Sequence, residues 1–125
     1  MQYDEFITRV QQRGGFGSQE EAVQATRATL ETLGERLSRV ETRQFATQLP
    51  TELRVYFLQR PGSQLFDLEE FFDRVSAREG VRWHQAVTHA RAVLDVLREA
   101  VSPGEMEDVR IELAPGFDTL FEETT

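Results

Sequence analysis

Arg27 and Arg91 are the residues whose type and placement come nearest to chemistry. Each lies in a long amphipathic stretch, about 40–60° from its apolar seam at 100° per residue. If the two stretches pack side by side, the two guanidinium groups flank one groove and could clamp a small anion, carboxylate or phosphate. The competing reading is local. Arg27–Glu31 and Arg91–Asp95 are i,i+4 pairs on a solvated rim, with stems that cover apolar surface.

Other candidates carry weaker signals. Gly14-Gly15-Phe16-Gly17-Ser18 is glycine-rich before a helix start, the place where phosphates bind. No strand precedes it, no Lys follows, and Glu20 and Glu21 put negative charge where the ligand would sit. His84 and His89 fall about 140° apart on a helix, so they do not converge on a metal as i,i+4 ligands would. Ser18, Ser38 and Ser102 are helix caps, which leaves no serine nucleophile beside a histidine. The clusters Glu20-Glu21 and Asp67-Glu69-Glu70 lie in first turns, where they suit the helix dipole. No catalytic set, metal site or cofactor is expected.

The composition narrows the partners. A net charge of −8 and a pI of about 4.8 oppose binding to nucleic acid or anionic lipid, which needs basic residues to displace counterions. All 14 basic residues are Arg. With no Cys, disulfides, thiolate nucleophiles and Cys-ligated metals are excluded. The longest apolar run is Val55-Tyr56-Phe57-Leu58, so no membrane span is expected. The first residues go straight into amphipathic sequence with no leader, and a cytoplasmic protein is the default expectation.

The elements that position these residues come from periodicity and punctuation. Tyr3, Phe6, Ile7 and Val10 mark one face of a helix that Gly14-Gly15 stops. Ser18-Gln19-Glu20-Glu21 is a capping box. It opens a long helix, about 18–38, with a narrow seam of Val23, Thr26, Leu30, Leu33 and Leu37. Ser38-Arg39-Val40-Glu41 starts a shorter helix with Phe45 and Leu49 inward. Pro50 sits in the first turn of a fourth, carrying Leu53, Tyr56 and Phe57. After Arg60-Pro61-Gly62-Ser63, the cycle restarts with Asp67 as cap. A helix of Leu68, Phe71, Phe72 and Val75 stops at Gly80, and a second long helix covers about 82–101. Ser102-Pro103-Gly104-Glu105 then caps a helix of Met106, Val109 and Leu113. Ala114-Pro115-Gly116 leads into a last turn or two through Phe117, Leu120 and Phe121.

The two halves repeat one another. With one gap at Gly17, the matched identities include Glu5/Glu70, Phe6/Phe71, Arg9/Arg74, Val10/Val75, Arg13/Arg78 and Gly15/Gly80. They continue through Arg27/Arg91, Leu30/Leu94, Leu33/Leu97, Ser38/Ser102 and Glu41/Glu105. Each has a local reason: i,i+4 pairing for Glu5–Arg9 and Glu70–Arg74, dipole complementation for Arg13 and Arg78, and termination for the glycines. The expected fold is all-α: a tandem duplication of a four-helix unit, packed as one compact helical domain over residues 1–125. The repeats cover about 1–59 and 66–121, joined by a linker at 60–65, and are related by a pseudo-twofold or a translation.

Y-D-E-F-x-x-R-V near the start, L-P-x-E-L-R at 49–54 and A-R-A-V-L-x-V-L-R-E-A-V-S-P-G-E at 90–105 resemble a bacterial and archaeal family, domain of unknown function 2267. The resemblance covers nearly the whole chain. It implies a small all-helical protein with two similar halves and supplies no activity to carry over. Gly116-Phe117-Asp118 departs from it, since the family more usually reads there like the L-P-x-E-L segment, so a full fourth helix is not expected in the second half.

The functional expectation is a non-enzymatic protein–protein interaction module. Trp83, Tyr56 and Phe16, apolar residues beyond those the core can take, mark its partner or self-association surface. The alternative is a binder of a small anionic ligand between the repeats, at Arg27 and Arg91.

Overall fold

Small oxygen-bearing side chains set where helices begin. In the computed structural model, which describes residues 1–122, Ser18, Ser38, Asp67 and Ser102 each accept a backbone N–H from three residues on. Each bond satisfies a donor that the helix itself leaves unpaired. The order is α1 (Tyr3–Gly14), α2 (Gln19–Arg36), α3 (Arg39–Ala46), α4 (Thr51–Leu58), α5 (Leu68–Glu79), α6 (Trp83–Ala100) and α7 (Pro103–Leu113), closed by a 3-10 turn at Asp118–Phe121. No strand occurs among the described residues. Gly15 (φ 66°) and Gly80 (φ 74°) end α1 and α5 in the left-handed region that glycine adopts without a Cβ clash. Pro50 stands just before α4 as its cap, one place earlier than expected.

α2 and α6 form the centre. α2 packs against α1, α4, α5 and α6, and α6 packs against α1, α2, α5 and the closing turn. With so many neighbours, α2 is buried almost all round from Ala25 to Glu35, rather than along the narrow seam its pattern implies. Thr26, Leu30, Leu33 and Leu37 are buried as read, and Val23 is half-buried. On α6, Ala90, Leu94, Leu97 and Val101 face the core.

The approach of α4 to α2 depends on one glycine. A Cβ at Gly34 would stand 2.2 Å from the Phe57 carbonyl oxygen. The matching position in the second half is Arg98, and there no helix follows α7. Instead Phe117, Leu120 and Phe121 bury themselves from the short turn, with the Arg98 and Arg110 guanidinium groups 6.0 and 4.9 Å from the Phe121 ring.

The segment between α4 and α5 is held across the end of α2. Ser63 N–H donates to the Leu37 carbonyl and Gln64 N–H to that of Glu35, both at 2.9 Å. Arg39 donates to the Leu58 and Arg60 carbonyls at 3.2 and 3.1 Å.

Some charged pairs run between halves. From α5, Arg74 and Arg78 reach Glu35 of α2 at 3.2 and 2.6 Å. From α1, Arg9 and Arg13 reach Glu99 of α6. The caps do likewise. Ser38 donates its N–H and hydroxyl to Glu112, and Ser102 donates its N–H to Gln48 at 2.7 Å. The local reasons read from sequence still hold in part: Arg9 and Arg74 also pair with Glu5 and Glu70.

Candidate functional site

Trp83 opens α6 with 46% of its surface exposed, an unusual position for the largest apolar side chain. Its ring meets Phe72 edge-on, with centroids 5.6 Å apart. Leu68 and Phe72 of α5, Trp83 and Val87 of α6 and Thr119 of the closing turn line an open groove of about 630 Å³. Glu69 and Asp73, on the exposed side of α5, make its rim acidic. The groove lies where the first turns of α5 and α6 meet the closing turn.

Tyr56 is half-buried on α4, with the Arg27 guanidinium 5.4 Å from its ring centroid. Phe16 is a core residue, 9% exposed, and does not belong to a surface patch. Its ring lies over Gly14, where a Cβ would sit 2.3 Å away, and packs against the His89 ring at 4.4 Å. The three aromatics expected on one interaction surface therefore have three different surroundings.

Arg27 lines a second, polar cavity of about 420 Å³ between α2 and the end of α5. Arg60, Arg78, Glu31 and Glu79 line it as well. Glu31 is almost wholly buried and is flanked by Arg27 at 3.4 Å and Arg60 at 3.8 Å. The Arg60 Nε is buried with no acceptor among the described residues. Arg91 does not line this cavity. It pairs with Glu122 at 2.9 Å, whereas Arg27 shares its cavity with Arg60 and Arg78. Arg60 was hidden by its position in a segment read as linker, and Arg78 by its reading as a helix-end cation.

The remaining candidates have structural partners. Gly15 and Ser18 end α1 and begin α2. His84 is exposed, whereas His89 is held between Phe16 and Glu79. Glu41 and Glu105, legible in sequence only as capping-box residues, face each other across the α3–α7 contact with Asp108 beside them. Burial first, and then Glu105, Asp108 and Glu112, push the Glu41 carboxyl up to about 8. At Glu35, burial raises the carboxyl, but the hydrogen bonds and charges of Arg78 and Arg74 outweigh it and hold the group low. Glu99 is held low by Arg13, against burial, with Arg9 adding to the effect.

No helix of the described residues is long and apolar enough to cross a membrane. No curated protein matches the chain. A family model does, across residues 3–120, and it describes an uncharacterized conserved protein. Its reach over all seven helices and most of the closing turn places the chain in the family DUF2267.

Proposed function

We propose that the protein is a non-enzymatic cytoplasmic module, built by tandem duplication of a four-helix unit, that docks an apolar, basic-flanked segment of a partner protein in the Trp83 groove. The observation that carries this reading is a half-exposed tryptophan over an apolar floor with an acidic rim. Aromatic anchors in such settings dominate binding energy at interfaces. The rim and the net charge of −8 favour Arg or Lys on the incoming segment. What supports the duplication is the exchange of partners. Glu35 and Glu99 match in the repeat, and each takes the arginine pair of the other half.

Trp83 is the sole tryptophan, so its fluorescence reports the groove directly. A photo-crosslinking residue at position 87, expressed in native cells, should capture a segment with apolar residues between basic ones. That segment as a peptide should blue-shift Trp83 emission, and Asp73→Arg should weaken its binding at least tenfold. Capture of nothing at position 87, or of peptides that leave Trp83 emission unchanged, rejects the reading.

The buried Arg60 Nε without an acceptor favours a second reading, a small anion in the Arg27–Arg60–Arg78 cavity. Thermal denaturation with phosphate, pyrophosphate and citrate tests it. A rise in Tm that Arg27→Ala abolishes supports it, and no rise with any of the three rejects it.

A further inference from the structure

Where α3 meets α7, three carboxylates converge, and none of them is in a salt bridge among the described residues. Glu41 and Glu105 are each 8% exposed. The Oε1 atom of each is buried with no hydrogen-bond partner among the described residues. Asp108, one turn after Glu105 on α7, brings an exposed carboxylate, and one oxygen from each of the three lies within 4.8 Å of the others. Glu112 is also near, but it accepts from the N–H and hydroxyl of Ser38. The arginine on the same helix, Arg110, pairs with Glu107 instead.

Carboxylates crowded together out of water need positive charge, either a proton or a metal ion. A shared proton would serve two oxygens. It would join Glu41 to Glu105 and leave Asp108 unused. An ion would engage all three groups, and the exposed Asp108 gives it a way in. A donor set made only of carboxylate oxygens selects hard cations over Zn²⁺ or Cu²⁺, which favour nitrogen and sulfur.

We propose that Glu41, Glu105 and Asp108 bind one hard divalent cation, Ca²⁺, Mg²⁺ or Mn²⁺, that ties α3 to α7 and so joins the two halves of the chain. Glu105 and Asp108 present two ligands from adjacent turns of one helix, and Glu41 supplies the third from the opposite side. Water fills the remaining positions. The site lies apart from the Trp83 groove, and its residues are not among those lining that groove.

The test uses the whole chain, stripped with EDTA and dialysed into chelator-free buffer at pH 7.5. Calorimetric titration with CaCl₂, MgCl₂ and MnCl₂ in separate runs should show saturable binding of one ion per chain for at least one of them, with a rise in Tm. Asp108→Asn, on an exposed side chain that leaves the fold intact, should weaken binding at least tenfold. Glu41→Gln should abolish it while keeping Tm in EDTA close to that of the unsubstituted protein, because the amide keeps the shape of the carboxyl and can still donate to Glu105. Absence of saturable binding for all three ions overturns the proposal. So does binding that Asp108→Asn and Glu41→Gln leave unchanged. A Tm that responds to pH and not to any of the ions assigns the cluster to a shared proton and overturns it equally.

Discussion

Arg78 of α5 sits 2.6 Å from the Glu35 carboxylate of α2 and donates a second hydrogen bond, at 2.9 Å, to the Thr32 hydroxyl. Glu35 is buried, so removing Arg78 leaves a desolvated charge with only Arg74 to answer it. Arg78→Ala should lower unfolding stability by about 3 kcal/mol, the range for breaking a buried pair from one side. At the matching place, Arg13 and Glu99 are each about one third exposed, and Arg13→Ala should cost about 1 kcal/mol or less. Urea denaturation of the two variants side by side measures the difference. Equal losses would mean that burial does not govern the pair.

The acids predict opposite pH dependences. Glu35 is held below its ordinary value, so its contribution is present above the unfolded value of about 4.3 and is lost as pH falls through the lower folded value. Arg78→Ala should flatten the acid limb of a plot of Tm against pH. Glu41 is shifted the other way, to about 8, by burial and the facing Glu105, Asp108 and Glu112. In EDTA its contribution is complete below about 4.3 and disappears as pH rises through about 8. Glu41→Gln should remove the loss between about pH 4.3 and 8 and leave the limb below that range alone.

Gly34→Ala should destabilise the protein by about 2–3 kcal/mol, because the new methyl group meets a backbone oxygen that cannot turn aside. Gly104 is a control on α7. A Cβ there meets nothing within 4 Å, and its φ is not in the left-handed region. Gly104→Ala should gain a few tenths of a kcal/mol from reduced freedom of the unfolded chain (about 0.4–1 at the most favourable sites). Chemical denaturation of both variants checks the sign.

Trp83→Ala should cost about 1 kcal/mol in stability, since nearly half of the ring is already in water. Phe71→Ala, in a fully buried position on the neighbouring helix, should cost about 3–5 kcal/mol. A loss at Trp83 as large as that at Phe71 would make the tryptophan a core residue rather than an anchor for a partner.

Local chemistry was legible in the sequence, and long-range pairing was not. The caps at Ser18, Ser38, Asp67 and Ser102 and the stops at Gly15 and Gly80 depend on a few adjacent residues, and all appear where the pattern puts them. Pro115-Gly116 likewise announced a truncated end. Arg9 and Arg13 were different. Each has a sufficient local explanation in its own helix, which conceals that Glu99 is the shared partner. Phe16 looked superfluous because the surface that receives it is made by Gly14 and His89, far apart in the chain. Arg27 and Arg91 occupy equal places on their helices, but α2 meets α4 where α6 meets the short closing turn, so their surroundings diverge.

The crossed arginines also constrain how the molecule can be made. Arg9 and Arg13 are synthesised well before their shared carboxylate, Glu99. Glu35 must in turn wait for Arg74 and Arg78. An emerging first half therefore has its local pairs, Glu5–Arg9 and Arg27–Glu31, but the pairs that join the halves close only once α5 and α6 have been synthesised.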